Sequence, residues 1–463
     1  MHDGNPDAFD VVVIGSGAAG LAAARGAARL NQRVALVERD LHLGGDCPNY
    51  ACIPTKTLLA AAKLFVQAEH ADEVGIHLGD LRLDYAELKR AKDHVVSHTG
   101  ARQLTAASLA QDGITLVRGP ATLLDAHTVG VADHRLAARQ IVVATGSRTQ
   151  VPSIRGLDRV PYLTSQTALD LTVQPHSLII LGAGPVGVEF AQLFSSFGTD
   201  VTLISDGNRI LPRDEPETAT AVATSLSSYG ARIVTDFHTE SVSTSEAGVR
   251  LSGKSRTAAE TIDAQHLLVA TGQTPNLTDL GLETVGVETT DQGIVVDDEL
   301  RTTVPHIWAA GDVIAAYRFT HAAHTMGVIV GHNLTQSTKR SIDFRVLPRV
   351  VFTHLELASV GQTEAELRNQ NRSIVVGAAS IGTLGRALTD GEPDGLVKLV
   401  ADRQTGQILG ASIAAPRAGE MIHELALAMH VRATVHDLAS LIHAFPTYSE
   451  AIAVAAAAAL KTR

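Results

Sequence analysis

This chain of 463 residues has two cysteines, and both fall in the segment Gly44-Gly45-Asp46-Cys47-Pro48-Asn49-Tyr50-Ala51-Cys52-Ile53-Pro54-Thr55-Lys56. In a reducing compartment cysteines seldom serve as scaffolding, so a lone close pair points to redox or metal chemistry. A structural zinc site wants four nitrogen or sulfur ligands, and the sequence offers no further Cys or spaced His pair nearby. His321, His324 and His332, farther along, read as capping or packing residues, and no metal-ligand set is expected.

The pair follows a strand–turn–helix–strand signature over residues 11–38. Residues 9–14 form an apolar run of strand length, Gly15-Ser16-Gly17-Ala18-Ala19-Gly20 turns the chain, an Ala-rich helix former spans 21–30, and 33–37 return as a strand ending at Glu38. Glycines at 15, 17 and 20 let backbone N–H groups and a helix N-terminus approach a diphosphate, and Glu38 can accept hydrogen bonds from ribose hydroxyls. The unit recurs: a strand over 177–181, Gly182-Ala183-Gly184-Pro185-Val186-Gly187, a helix over 188–197 and a strand over 200–204. One such motif is weak evidence; two in full context predict two dinucleotide domains, and a redox-active dithiol coupled to a flavin. Glu38 lies 23 residues after Gly15, and Ser205 lies 23 after Gly182. Asp206 could hold a ribose diol, or Ser205 with Arg209 a 2′-phosphate, so NADH and NADPH both stay open.

These motifs need positioning. Each unit is followed by an apolar strand closing in Ala-Thr-Gly, at 144–146 and 270–272, with Pro152 and Pro275 as hinge points. The second unit is thus inserted in the first domain. From about residue 346 short β-like runs precede helical periodicity, which predicts a separate α+β domain. The expected segments are 1–150 (first dinucleotide domain), 151–275 (second), 276–345 (return to the first) and 346–463 (C-terminal domain). Composition is that of a soluble globular protein, 45% hydrophobic and 19% charged. A net charge of −11 argues against nucleic-acid or anionic-membrane partners. The opening reads as polar and acidic rather than as a signal peptide, and the apolar tract 451–460 is too short to span a bilayer, so a cytoplasmic protein is expected.

Together, the two fingerprints, the Cys-x4-Cys segment ending in Pro-Thr-Lys, the Ala-Gly-Asp turn at 310–312 and the C-terminal domain resemble the flavin-dependent pyridine nucleotide–disulfide oxidoreductases. That family includes dihydrolipoamide dehydrogenase, glutathione reductase and mercuric reductase. The resemblance implies an α/β fold with two Rossmann-like domains, for FAD and NAD(P), and a C-terminal α+β dimerisation domain that completes each active site across a homodimer. It implies FAD contacts at Gly15, Gly17, Gly20, Glu38, Gly45, Asp46, Lys56, Gly119, Thr145, Gly146 and Asp312. NADH or NADPH falls to Gly182, Gly184, Gly187, Ser205, Asp206 and Gly272. Cys52 matches the thiol beside the flavin, Cys47 the interchange thiol that meets substrate, and Lys56 the lysine near the flavin, paired with Glu189.

The departure lies near the C-terminus. The dithiol-oxidising members carry a His-Pro there, with a glutamate five residues after the His to orient it as the base for the thiol proton. Here the run is His443-Ala444-Phe445-Pro446-Thr447-Tyr448-Ser449-Glu450: Phe445 replaces the base while Glu450 keeps its place. His443 and Tyr448 are substitute candidates. Mercuric reductase also lacks that His, yet with both cysteines already used this chain has no terminal pair to deliver metal. The expectation is an enzyme moving electrons from NAD(P)H through FAD and the Cys47–Cys52 pair to an acceptor such as a soft metal ion, Hg(II) or Cu(II), or a quinone. The alternatives are a dihydrolipoamide dehydrogenase with an altered base and a flavoprotein redox sensor.

Overall fold

The computed structural model of the chain describes residues 7–256, 258–314 and 317–462. Most of the polar opening, and Arg463, lie outside the described residues. The chain divides into two compact units, the first made of Met1–Pro54, Arg90–Gln150 and Gly272–Ile342. In it β1 (Ala8–Ile14) lies between β2 (Val34–Glu38) and the strand His134–Val143, parallel to both. Ile114–Arg118 extends the parallel sheet beyond β2. The long strand His134–Val143 pairs antiparallel with Thr128–Val131 in its first half and parallel with Ile307–Ala309 in its second. Val12, Val13 and Val34–Leu36 are fully buried, as a strand covered on both faces requires.

The Ala- and Gly-rich composition allows helices to pack closely. α1 (Ala18–Ala28) lies on the helix Thr320–Asn333 so tightly that a Cβ on Gly327 would stand 2.8 Å from Ala22 Cβ. From Cys47 to Ala62, across both cysteines, the sequence reads as a single helix. Two are found: α2 (Asp46–Tyr50) and α3 (Cys52–Glu69), separated by Ala51 at φ −137°, ψ −93°. Pro54 explains the break. In one continuous helix it would leave the Tyr50 carbonyl without a donor and press its ring on it, whereas a restart at Cys52 puts Pro54 in a first turn, where no N–H is needed.

The second unit gathers Thr55–Lys89, Val151–Thr271 and Asp343–Arg463. Its parallel sheet has Ser177–Leu181 between Asp200–Ile204 and His266–Val269, with Arg232–Val234 outermost. The same unit holds a five-stranded antiparallel sheet ordered Arg349–Val351, Glu356–Gly361, Ile408–Ala415, Leu396–Asp402, Ile374–Ser380. The apolar tract near the C-terminus becomes the helix Glu450–Lys461, with Ala451, Ala455 and Ala459 buried; a Cβ on Gly377 would come within 2.8 Å of Ala459 Cβ.

A buried cation joins this sheet to the start of the helix Pro216–Ser228. Lys398 Nζ lies 2.9 Å from a carboxylate oxygen of each of Glu215, Glu217 and Glu364, with the lysine side chain 5% exposed. Ser359 Oγ donates to Asp214 Oδ1 (2.7 Å) alongside, and the Thr218 and Ser412 hydroxyls meet at 2.8 Å. Removing the cation leaves three carboxylates crowded together. Lys398→Met is therefore expected to cost about 3–5 kcal/mol, seen as a clear fall in the thermal midpoint; an unchanged midpoint would show that the cluster does not hold the unit together.

Candidate active site

The two fingerprints solve one steric problem twice. Gly15 has φ +101° and would drive a Cβ into the Ala144 carbonyl; Gly182 has φ +110° and would drive one into the Ala270 carbonyl. Gly20 and Gly187 press on the carbonyls of Gly15 and Gly182 in the same way. The middle glycines, Gly17 and Gly184, have nothing within 4 Å along the Cβ direction. That pattern is a turn held by its outer glycines with the middle one open to a diphosphate, and it fits a dinucleotide at each motif.

In the first motif Glu38 Oε2 accepts from the Ser16 N–H (2.8 Å) and hydroxyl (2.7 Å), and Oε1 accepts from the Asp40 N–H (2.9 Å). The Gly44 N–H donates to Ser16 Oγ (3.1 Å), and Gly45, at φ +70°, packs where a Cβ would stand 2.8 Å from Gly17 Cα. The glycines before Cys47 thus seat the dithiol segment on the fingerprint turn. Asn49 fastens it, its amide donating to the carbonyls of Leu43 (2.9 Å) and Gly45 (2.8 Å). Asp46 is exposed at the surface, and desolvation by the protein around it first, then the nearby Asp312 and Asp40, push its carboxyl up to about 6, against the pull of Arg39.

Both cysteines are half-buried, and Cys52 Sγ lies 3.4 Å from the Thr320 hydroxyl. The Asp312 carboxyl receives the Ser147 hydroxyl (3.1 Å), and burial raises it above the ordinary carboxylate range. Its turn is locked by Arg318, which donates to the carbonyls of Asp312 (3.3 Å), Gln273 (3.0 Å) and Gln292 (2.8 Å). The Gly119 N–H donates to the Glu38 carbonyl (3.0 Å). Thr145 and Asn276 exchange hydrogen bonds of 2.9 Å, while Gly146 and Gly272, both at positive φ, accept from the Asn276 and Gln150 N–H groups. Ser16, Asn49, Asn276, Arg318 and Thr320 were not singled out from sequence; only Ser16, inside the fingerprint, carried a local signal.

In the second unit the expected pairing of Lys56 is present. Lys56 Nζ reaches both Glu189 oxygens, at 2.9 and 2.7 Å, Glu189 Oε1 also accepts the Phe352 N–H (3.1 Å), and the ammonium lies 4.8 Å from the Phe352 ring centroid. Glu189 is buried rather than solvated. Ser205 is buried, with its hydroxyl on the Arg209 carbonyl (3.1 Å). Arg209 turns inward to the carbonyls of Pro212 (2.7 Å) and Asp214 (3.1 Å), so the reading of Ser205 and Arg209 as joint holders of a 2′-phosphate does not match their geometry. Asp206 is exposed.

Near the C-terminus Phe445 is 79% exposed, and a Cβ on Gly385 would stand 3.6 Å from its ring. Glu450 Oε2 accepts the Thr447 N–H (3.0 Å), a local tie in place of an imidazole. His443 has Nε2 3.0 Å from Glu424 Oε1 and Nδ1 3.2 Å from the Leu441 carbonyl. Each ring nitrogen thus faces an oxygen. The Tyr448 hydroxyl donates to Asp390 (3.2 Å), and burial together with that carboxylate pushes it up to about 12. His321 stacks on Phe319 and His332 Nε2 lies 2.9 Å from the Thr338 carbonyl.

A family model for the pyridine nucleotide-disulphide oxidoreductases matches residues 9–327, and one for their dimerisation domain matches 347–456. A mercuric reductase of Streptomyces lividans is 38% identical over 455 residues, 97% of this chain and 95% of the relative. A dihydrolipoyl dehydrogenase of Bacillus subtilis (strain 168) is 36% identical over 463 residues, covering 98% of this chain and 97% of the relative. Among solved structures, the HOCl-induced flavoprotein disulfide reductase RclA from Escherichia coli superposes with a TM-score of 0.86 at 30% identity, over 97% of this chain and 99% of that one. Among the described residues no helix is long and apolar enough to cross a membrane. The chain belongs to the pyridine nucleotide-disulphide oxidoreductases: it is an FAD- and NAD(P)H-dependent oxidoreductase with the family's two Rossmann-like domains and homodimerisation domain.

Proposed function

We propose that this oxidoreductase delivers electrons through Cys47 and Cys52 to a soft metal ion, Cu(II) or Hg(II), and not to a dithiol or disulfide substrate. The carrying observation is the segment 443–450. Thiol–disulfide exchange needs a group that accepts a thiol proton. Phe445 cannot, His443 is held between two oxygens, and Tyr448 is far too weak an acid to ionise near neutrality. Metal reduction avoids the requirement, because a soft ion displaces the thiol proton and bonds the thiolate directly. Mercuric reductases stand among the relatives, and RclA from Escherichia coli has been solved as a Cu(II) complex.

FAD, which the Gly15–Gly20 turn would hold, would supply the dithiol with two electrons taken from the nicotinamide. The chain's own residues do the rest. Gly44, Gly45 and Asn49 fix the dithiol segment against the fingerprint turn, and Glu189 orients Lys56 on the helix that begins at Cys52. As Cys47 and Cys52 close to a disulfide, two protons and two electrons leave. One Hg(II) takes both electrons, or two Cu(II) take one each. In the homodimer, Ile442 and Phe445, 95% and 79% exposed in the single chain, would close the partner's site with apolar surface.

NADH and NADPH consumption with Cu(II), with Hg(II) plus excess thiol, and with a benzoquinone would be compared in wild type and Cys52→Ala. Metal-dependent turnover is expected to fall by at least about a hundredfold on removing the thiol. Inert metals, with quinone turnover surviving Cys52→Ala, would mean that the flavin reacts directly and that the proposal is wrong.

A further inference from the structure

The turn after Asp200–Ile204 is where a dinucleotide of this fold presents its adenosine ribose, and there the structure departs from what a 2′-phosphate requires. A phosphate needs cations turned outward. Ser205 is tied inward twice, its N–H donating to the Val234 carbonyl (2.8 Å) and its hydroxyl to the Arg209 carbonyl (3.1 Å). Arg209, the cation of this turn, has Nη2 on two carbonyls at 2.7 and 3.1 Å, and its Nε is buried without a hydrogen-bond partner among the described residues. Reaching outward would break both bonds. The outward-facing charge is Asp206, exposed one residue past the strand. Asp236 lies on the adjoining turn, its N–H donating to the Gly207 carbonyl (2.7 Å) and its carboxylate paired with Arg256 (3.1 Å). Arg213 is the remaining exposed cation of the loop, and its charge acts on Asp214.

We propose that the enzyme selects NADH over NADPH and that Asp206 is the selecting residue. It accepts hydrogen bonds from the free ribose diol and repels a phosphate on the same sugar, an attractive and a repulsive element in one side chain. This rests on the reading that the second fingerprint holds the nicotinamide dinucleotide, and it deepens that reading by naming the substrate.

Two measurements that involve no acceptor test it. The first is anaerobic bleaching of the flavin band by NADH and by NADPH. The second is calorimetric binding of NAD⁺ and NADP⁺ to the holoenzyme. Wild type is expected to favour the unphosphorylated cofactor by at least about tenfold in both, the scale of one like-charge juxtaposition. Asp206→Asn should narrow that ratio from both sides, weakening NAD⁺ and strengthening NADP⁺, while Arg213→Ala should leave the ratio unmoved. A wild-type preference for NADPH, an Asp206→Asn change that weakens both cofactors equally, or NADPH use that depends on Arg213 would each overturn the proposal. If Gly184→Trp left binding of both nucleotides intact, the failure would lie instead in the placement of the cofactor at the second fingerprint.

Discussion

The ion pair between Lys56 and Glu189 ties together three stretches of chain that are far apart in sequence. Lys56 stands one turn into the helix that opens with Cys52. Glu189 is in the first turns of the helix that follows the second fingerprint, and its second bond goes to the backbone of Phe352, beside the first strand of the C-terminal sheet. The carboxylate is buried, so it is stable there only while it is both paired and hydrogen-bonded. Those two demands fix how the three elements of this unit meet. The stretch of helix around Lys56 is thereby anchored to the helix that follows the second glycine turn.

The same economy appears in the paired glycine turns. Each uses a glycine at positive φ against a crossing carbonyl, a second left open and a third pressed on the first. Because these constraints are local, the sequence could reveal them: no residue with a side chain fits the outer positions, and the spacing follows from the length of one helical turn. Strand burial on both faces was readable for a similar reason, as the largely apolar runs at 9–14 and 177–181 have the length and make-up of strands covered on both faces.

What the sequence concealed depends on groups distant along the chain. Arg318 locks the Asp312 turn through three carbonyls that no pattern predicts, and Thr320 reaches Cys52 from 268 residues away. The inward turn of Arg209 could not be told from an outward one by its position alone. Other misses had a local cause that carried too little weight in the reading. Pro54 lay in plain view, yet the helical look of 47–62 hid the break that it imposes at Ala51. Similarly, Glu450 kept its expected place but turned to the Thr447 N–H, while the carboxylate beside an imidazole proved to be Glu424, on His443.

The chemistry therefore turns on a proton with nowhere to go. On the proposed function, dithiol, fingerprints and lysine pair would serve electron transfer, while the segment that would handle a thiol proton holds an exposed Phe445, a His443 between two oxygens and a buried Tyr448. The direct measurement is dihydrolipoamide-dependent NAD⁺ reduction in wild type and Phe445→His. A wild-type rate near zero that rises by at least about a hundredfold on restoring an imidazole, the range of general-base catalysis, is the predicted result. Wild-type turnover at an ordinary enzymatic rate would contradict the account, because it would mean that the thiol proton finds a base that this structure does not offer.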